Sequence, residues 1–384
     1  MNISIIGGLG HIGLPLSCLF QVNDNNVVII DTNKDNIENV RNGKPNFYEP
    51  GLEDILNEAL SKGLKITDEI KYLSESEFVI ITIGTSSKQE DKNNFNKVVN
   101  QVIEKLSVGS KIILRSTIDF GTCQKIINNK LFQEKKLILA YCPERIAEGK
   151  ALDELQILPQ IIGTSTQKDF EIFKDLFDSI GTESISVSFQ EAEFIKLFSN
   201  VYRYAEFSLI NEFSNIAQKN HIDFNKVFQL AKKEYPRLRN APETGFVGGP
   251  CLPKDTKTFI NNFQLEDSVI NKLEDTNIDY FKNIIKDINS KFSNEIIIFL
   301  GITFKPDSDD LRGSISYNLS KELIESGNEL YIIEPNINEK NIPEKIYKYE
   351  EVKNLTENVI IGTSHTEFRD YDFEGKKVIQ IGNN

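Results

Sequence analysis

Short runs of isoleucine and valine alternate with helical segments through the first third of the chain. The runs are NISIIG (2–7), VVIID (27–31), FVIITIG (78–84), KIILRST (111–117) and KLILAYC (136–142). Continuous apolar runs of this length are typical of parallel strands that are buried on both faces. We therefore predict a doubly wound α/β domain, in which helices cover both faces of a mostly parallel sheet.

The pattern changes near residue 190. From 190 to 220 apolar side chains recur at helical spacing without Gly or Pro, at Phe194, Phe198, Val201, Ala205 and Leu209. This spacing predicts one long helix that connects two parts of the chain.

Strand-like runs return in the last hundred residues, at 294–304, 328–335, 357–363 and 376–382. They predict a second, smaller α/β domain. The predicted domains are an N-terminal one at 1–188, a central helical one at 189–280 and a C-terminal one at 281–384.

Composition narrows the class of protein. The 384 residues are 39% apolar, which suffices for several cores. The four cysteines are scattered without C-x-x-C spacing, and the chain has only three histidines, so we expect no disulfide framework and no metal site. A net charge of -13 without a Lys/Arg block argues against nucleic-acid binding. The N-terminal apolar run has no basic flank and no run is long enough to cross a bilayer, so we expect a cytoplasmic protein without a membrane partner.

A glycine-rich turn follows the first predicted strand and opens a helix. It has the pattern G-x-G-x-x-G, with Gly8, Gly10, His11, Ile12 and Gly13 as candidate binding residues. Such a turn brings backbone N–H groups against a pyrophosphate. The next strand ends at Asp31, where a carboxylate would bind ribose hydroxyls and repel a 2′-phosphate. Simple turn glycines are the alternative, but strand, helix and Asp31 are in register, so we predict a Rossmann-like domain that binds NAD.

A second motif carries reactive groups. GGPCLPKD places Cys251, Lys254 and Asp255 within five residues on a turn stiffened by Gly and Pro. A neighbouring cation favours the thiolate and so makes a thiol nucleophilic, although an arbitrary cysteine is more often a buried structural residue. On the long helix, Lys196 and Asn200 lie four residues apart and share a face, where they either hold an oxyanion or form a solvated polar stripe.

Carboxylates also follow the strand KLILAYC. Glu144, Arg145 and Glu148 stand where ligands bind in open parallel sheets, and Thr117 ends the preceding strand in the same way.

Together these segments resemble the UDP-glucose/GDP-mannose dehydrogenase family across essentially the whole chain. The matching segments, in the order of the family, are GGLGHIGLPL, YEPGL, RSTIDFGT, CPERIAEG, KLFSN, GGPCLPKDT and FLGITFKPDSDDLRGS. The resemblance implies two Rossmann-like doubly wound domains joined by a long central helix. The first would bind NAD, the helix would form a homodimer and the last domain would bind UDP.

The resemblance also implies a reaction and roles for the residues. A UDP-sugar would be oxidised at C6 from alcohol to carboxylate with two NAD, through a thiohemiacetal and a thioester on Cys251. Lys196 and Asn200 would stabilise oxyanions. Asp255 and Thr117 would hold water or assist proton transfer. Glu144 and Glu148 would belong to the substrate loop, and Glu144 would be the favoured participant in thioester hydrolysis. Thr85, Thr117 and Arg312 would contact the cofactor. The expected substrate contacts are Glu144, Arg145, Lys196, Asn200, Gly245, Gly248, Gly249, Lys254 and Lys305.

The chain departs from the family at two loops near the cofactor, where family prolines are replaced by Ser86 and Asp119. The segment PERIAEGKALDEL resembles enzymes of UDP-N-acetylhexosamines, so UDP-N-acetylmannosamine or UDP-N-acetylglucosamine is preferred, with UDP-glucose as the alternative substrate.

Two other functions fit part of the pattern. A two-electron hydroxyacid dehydrogenase also joins a Rossmann domain to a helix with Lys and Asn four apart, but it leaves Cys251 unexplained. A non-catalytic nucleotide-sugar sensor would not need the full reactive set.

Overall fold

The computed structural model describes residues 1–337 and 342–381. The chain forms two compact units, Met1–Ser199 and Asn200–Asn384, which we name the first and the second unit.

The first unit alternates strands with helices, as expected. Its strands are β1 (Asn2–Ile6), β2 (Asn26–Ile30), β3 (Lys65–Thr67), β4 (Phe78–Ile81), β5 (Lys111–Leu114), β6 (Ile138–Tyr141), β7 (Gln160–Thr164) and β8 (Ser184–Ser188). Its helices are α1 (Gly13–Val22), α2 (Lys34–Arg41), α3 (Leu52–Ser61), α4 (Gln89–Lys105), α5 (Thr122–Ile127), α6 (Lys130–Glu134), α7 (Ala151–Ile157) and α8 (Gln167–Asp178), with a 3-10 turn at Ile70–Glu75.

These strands form one sheet in the order β3-β2-β1-β4-β5-β6-β7-β8. All neighbours are parallel except β6 and β7, which meet in one antiparallel pair, Tyr141 with Gly163. Successive side chains of a strand enter opposite cores: Ile80 packs with α1 and α8, whereas Ile81 packs with α4 and α5. Helices therefore cover both faces, which confirms the doubly wound prediction. The direction of winding reverses between β1 and β4, where open sheets bind ligands.

The long helix α9 spans Phe189–Lys219, and the boundary between the units falls within it. Val201, Tyr204 and Ser208 are buried at a spacing of three to four residues. Phe194, Phe198 and Leu209, which the sequence pattern grouped with Val201, are instead exposed, so α9 carries apolar residues on two faces.

The second unit begins with helical sequence and ends in a small sheet. Its further helices are α10 (Phe224–Lys232), α11 (Leu252–Phe263), α12 (Leu273–Lys291), α13 (Ile315–Glu325) and α14 (Tyr349–Val352), with 3-10 turns at Pro236–Leu238, Ile270–Lys272 and Thr366–Asp370. The strands β9 (Ile296–Leu300), β10 (Glu329–Ile333), β11 (Asn358–Ile361) and β12 (Lys377–Gln380) form a parallel sheet in the order β10-β9-β11-β12.

This second sheet is also covered on both faces. Phe299 packs with α12 and α13 in one core, and Leu300 packs with α14 in the other. The second doubly wound domain is thus confirmed, and its winding reverses between β9 and β11. Of the predicted strand 376–382, residue 382 lies outside the described residues. Among the described helices none is long and apolar enough to span a membrane.

Three strands were missed in the sequence. β3 has only three residues, β8 is the serine-rich SISVS at the sheet edge, and β7 is interrupted by Gly163. A Cβ on Gly163 would come within 2.7 Å of the Ala192 side chain, so the glycine permits the close approach of α9.

Candidate functional site

The glycine-rich turn after β1 forms a cradle that fits a dinucleotide phosphate. A Cβ on Gly13 would lie 2.5 Å from the Gly8 Cα, so Gly13 lets the turn fold back on itself. A Cβ on Gly10 would meet nothing closer than the Gly7 carbonyl at 3.9 Å, and Gly10 is exposed. Gly10 therefore leaves space beside the N-terminal end of α1, where backbone dipoles favour an anion. Ile12 precedes α1, and the His11 ring lies 4.0 Å from that of Phe47.

Asp31 lies next to this turn at the end of β2. Its Oδ2 accepts a hydrogen bond from the Leu9 N–H at 3.3 Å, and its Oδ1 accepts from the Thr32 and Asn33 N–H groups at 2.8 and 3.1 Å. The carboxylate is thus fixed beside the cradle, as a ribose ligand requires.

The loops after β4 and β5 are joined to each other. The Thr85 hydroxyl donates to the Thr117 carbonyl at 2.7 Å, which places these two predicted cofactor residues side by side. Both departures from the family pattern bind α4: Ser86 donates to Asp91, and Asp119 pairs with Lys92 at 2.8 Å. Side-chain bonds to α4 therefore anchor both loops.

Glu144 is buried and forms an ion pair with Arg115, which is also buried. Arg115 lies two residues before Thr117. The Glu144 Oε1 also accepts from the Arg145 and Ile146 N–H groups at 2.8 and 3.0 Å. Burial by itself raises the pKa of the Glu144 carboxyl, but the Arg115 charge and these hydrogen bonds outweigh it and lower the pKa. Glu144 is therefore an ionised carboxylate held in one position.

Two further carboxylates shape the loop that follows. Buried Glu49, from the YEPGL segment, accepts from the N–H groups of Gly149 and Ala151 at 2.7 and 2.8 Å. Glu154 accepts from the Ala147 N–H at 2.6 Å, so the loop that carries Glu148 is anchored on both sides. The Arg145 guanidinium donates to the Pro159 carbonyl.

Lys196 reaches this loop from α9. Its Nζ donates to the Glu144 carbonyl at 2.7 Å, so the structure brings these two predicted site residues together within the first unit.

In the second unit, Cys251 precedes the first residue of α11 and is exposed. The other three cysteines, Cys18, Cys123 and Cys142, are buried, and burial raises the pKa of each thiol, to about 12 for Cys18 and Cys142. These three thiols stay protonated at neutral pH. Cys251 alone combines exposure with a helix N-terminus, which stabilises a thiolate.

Asp255 lies one turn into α11 and is completely buried. Its Oδ2 accepts from the Asn200 Nδ2 at 2.6 Å, and its Oδ1 lies 3.3 Å from the Lys254 Nζ. Its N–H donates to the Cys251 carbonyl at 2.9 Å. Four predicted site residues, Asn200, Cys251, Lys254 and Asp255, are therefore assembled within the second unit.

Close backbone packing supports the turn before Cys251. The Gly249 N–H donates to the Gly313 carbonyl at 3.0 Å, and a Cβ on Gly248 would lie 2.4 Å from that oxygen. Gly245 exchanges two hydrogen bonds with Asn211 of α9, at 2.9 and 3.2 Å. The close contacts explain the glycines at 248 and 249, where a Cβ has no room.

The same loop as Gly313 carries the last two predicted residues. Arg312 forms a two-pronged ion pair with Asp310, and the Lys305 Nζ lies 5.6 Å above the Phe304 ring.

Family models match nearly the whole chain. They describe the NAD-binding domain of the UDP-glucose/GDP-mannose dehydrogenase family at residues 1–181, its central domain at 190–279 and its UDP-binding domain at 298–380. The chain belongs to this family. It is therefore an NAD-dependent nucleotide-sugar dehydrogenase.

Individual relatives agree. The chain is 28% identical to the UDP-N-acetyl-D-mannosamine dehydrogenase of Pyrococcus horikoshii, covering 97% of this chain and 92% of the relative. The solved structure of the UDP-D-ManNAc dehydrogenase from Pyrococcus horikoshii matches with a TM-score of 0.89 and 26% identity, covering 100% of this chain and 96% of that one. A UDP-glucose dehydrogenase structure from Pyrobaculum islandicum has the same fold, with a TM-score of 0.89 and 24% identity, covering 100% and 94%.

The buried partners of the site were missed in the sequence. Arg115 lies 29 residues before its partner Glu144 in the sequence, and Glu49 lies 100 residues before its partner Gly149. The available signal was a charged residue within an apolar strand run, KIILRST, because such a residue needs a buried partner.

We predict that Gly10→Val weakens NAD binding without unfolding the protein. The added side chain enters open space rather than the core, so the midpoint of urea unfolding stays near the wild-type value, while the Kd for NAD rises about 10-fold or more as the side chain displaces phosphate. Calorimetric titration with NAD measures this.

Gly13→Ala is the contrasting variant, because its Cβ meets the Gly8 backbone and lowers the unfolding midpoint. An unchanged NAD affinity in Gly10→Val would contradict the assignment of the cradle.

The lowered pKa of Glu144 predicts a pH dependence of stability. A carboxyl whose folded pKa lies below its unfolded value of about 4.3 stabilises the fold above that pH and loses this contribution as pH falls through the folded pKa. Glu144→Gln should therefore lower stability at neutral pH and flatten its decline below pH of about 4. Urea unfolding at a series of pH values measures both.

Glu104→Gln, exposed on α4, is the matched control and keeps the wild-type slope. A Glu144→Gln variant with the wild-type acid slope would refute this role of the buried pair.

Proposed function

We propose that the chain oxidises the C6 alcohol of a UDP-N-acetylhexosamine to the carboxylate, with Cys251 as the covalent nucleophile. The observation that carries this proposal is the exposed Cys251 at the start of α11, one turn before the Asp255–Asn200 pair. An aldehyde cannot give up a hydride until a nucleophile has added to its carbonyl, and an exposed thiol can be that nucleophile.

The choice of sugar rests on two observations. The relative from Pyrococcus horikoshii is a UDP-N-acetyl-D-mannosamine dehydrogenase, and the segment PERIAEGKALDEL resembles enzymes of UDP-N-acetylhexosamines. We therefore favour UDP-N-acetylmannosamine, then UDP-N-acetylglucosamine. UDP-glucose, giving UDP-glucuronate, is the alternative substrate.

Bound NAD supplies the hydride acceptor in both oxidations. Cys251 adds to the aldehyde as thiolate, and the resulting thiohemiacetal is oxidised to a thioester, which water cleaves to the carboxylate and the free thiol. Lys196 and Asn200 donate hydrogen bonds to the oxyanions of the tetrahedral species. Asp255 and Thr117 hold water and transfer protons.

The surroundings of Glu144 limit its part in the hydrolysis of the thioester. The Glu144 carboxylate is occupied by Arg115 and two backbone N–H groups, and its lowered pKa makes it a weak base. We infer that Glu144 contributes mainly by holding Lys196 through its carbonyl and by fixing the loop that carries Glu148.

We further propose that the chain works as three parts, with the NAD domain at 1–188, the central helical part at 189–280 and the UDP domain at 281–384. The three family domains support this division.

The experiment that tests the reaction counts NADH per UDP-sugar. The wild-type protein should form two NADH with its true substrate among UDP-N-acetylmannosamine, UDP-N-acetylglucosamine and UDP-glucose. Cys251→Ala should lose the net oxidation to the carboxylate, because the aldehyde from the first oxidation has no thiolate to add to its carbonyl. Absorbance of NADH at substrate exhaustion measures the ratio.

Cys18→Ala, buried far along the chain from the motif, is the matched control and keeps the ratio. Undiminished turnover to the carboxylate in Cys251→Ala would refute the covalent mechanism. One NADH per substrate from the wild-type protein would favour a two-electron dehydrogenase.

We also propose a homodimer built on α9. Six apolar side chains along the helix are 41 to 56% exposed: Phe194, Phe198, Tyr202, Leu209, Phe213 and Ile216. They follow one another at intervals of three, four or seven residues, so they form one stripe, and a continuous apolar stripe of this size is typical of an interface.

The double variant Leu209→Glu/Phe213→Glu should be monomeric, because paired stripes would bury four like charges. Light scattering at micromolar concentration measures the mass. Ile157→Glu, 74% exposed on α7, is the control and stays dimeric. A monomeric wild-type protein would refute the proposal.

A further inference from the structure

A buried histidine lies beneath the ligand-binding edge of the second sheet. The loops after β9, β10 and β11 leave the same edge, and the winding of the sheet reverses between β9 and β11. His365, in the loop after β11, and Glu334, directly after β10, both have completely buried side chains. A buried ionisable pair at a switch point holds backbone in place or takes part in binding.

The hydrogen-bond partners assign the protonation of the ring. The Asp307 N–H donates to the His365 Nδ1 at 2.9 Å, so Nδ1 is an acceptor and carries no proton. The proton of the neutral ring is then on Nε2, which faces the Glu334 Oε2 at 3.0 Å and the Thr303 hydroxyl at 3.2 Å. Asn336 adds a second amide at 3.0 Å from Nδ1.

These contacts bracket Lys305 within its loop. On one side, Glu334 accepts from the Ile302 and Thr303 N–H groups at 2.8 and 3.3 Å, and the Thr303 hydroxyl donates to the Lys305 carbonyl at 2.9 Å. On the other side, His365 accepts from the Asp307 N–H. The Lys305 backbone is thus fixed two residues before and two residues after it.

Asp307 shows why the second anchor matters. It has a φ of 53°, in the left-handed region that a non-glycine residue rarely adopts. Its carboxylate accepts from the Thr366 N–H and hydroxyl at 2.8 and 2.6 Å. Bonds to the His365 loop hold this unfavourable conformation, and without the acceptor on His365 the segment after Lys305 can relax.

We propose that His365 is a positioning residue for the nucleotide-sugar diphosphate, acting through Lys305. The chain carries a net charge of -13, so a diphosphate needs a cation fixed close to it. A backbone ordered before binding lowers the entropy cost of presenting that cation. This inference rests on the proposed function, since it takes the ligand to be a UDP-sugar.

Two isosteric variants separate the two sides of the ring. In His365→Asn the Oδ1 takes the place of Nδ1 and still accepts from the Asp307 N–H. In His365→Gln the longer side chain reaches toward Glu334, and the acceptor for the Asp307 N–H is lost. His365→Gln should weaken UDP binding and raise the KM for the UDP-sugar by about 10-fold, with kcat and the KM for NAD unchanged within about twofold. His365→Asn should restore the affinity.

The double-mutant cycle with Lys305→Ala is the decisive experiment. If His365 acts through Lys305, His365→Gln adds less than about twofold to the UDP Kd in the Lys305→Ala background. Titration calorimetry with UDP gives the four affinities, and urea unfolding gives the stability of each variant.

An equal loss of affinity in both backgrounds, or equal effects of the Gln and Asn variants, would overturn the inference. The proposed function fails separately: a wild-type protein that binds UDP but reduces no NAD with any UDP-sugar refutes it, while the titrations still decide the role of His365.

Discussion

The loops after β1 and β9 depend on one kind of interaction, in which a carboxylate accepts hydrogen bonds from backbone N–H groups of the loop. Asp31 follows β2 and holds the turn after β1, and Glu334 follows β10 and holds the turn after β9. In each sheet the carboxylate thus comes after the second strand in chain order and binds the turn after the first. Loop N–H groups at a sheet edge have no ladder partner, and a carboxylate oxygen accepts them with a stronger bond than a neutral oxygen does.

The two carboxylates differ in their surroundings, and this separates their tasks. Asp31 is partly exposed beside an open cradle, so it remains accessible to a ribose. Glu334 is completely buried against His365 and stabilises the loop from within. In the first unit Glu144 is buried like Glu334, but its fixed partner is a cation, Arg115. Removing one member of such a pair costs about 3 to 5 kcal/mol, because an uncompensated charge stays buried.

Unlike these buried carboxylates, the cysteine that we propose as the nucleophile is exposed. Cys18, Cys123 and Cys142 lie in the cores, where burial keeps them protonated. Cys251 stands outside, on a turn in which Gly248 and Gly249 allow contact with Gly313. Glycines without Cβ let two loops of the second unit touch, and that contact holds the turn before the exposed cysteine.

The sequence by itself determined the elements whose signals are local. Runs such as NISIIG predicted buried parallel strands, the uninterrupted apolar spacing of 190–220 predicted α9, and the glycine turn with Asp31 predicted the cofactor domain, now matched by the family's NAD-binding domain. The motif around Cys251 predicted the chemistry that we propose.

Only the tertiary structure decided which polar groups meet across long separations, such as Arg115 with Glu144 and Glu334 with His365. It also decided that Phe198 and Leu209 are exposed while Val201 is buried, because a helical repeat of apolar residues does not say how many faces are covered. Periodicity is a property of neighbouring residues, whereas the partner of a buried charge is chosen by how the strands are ordered in the sheet.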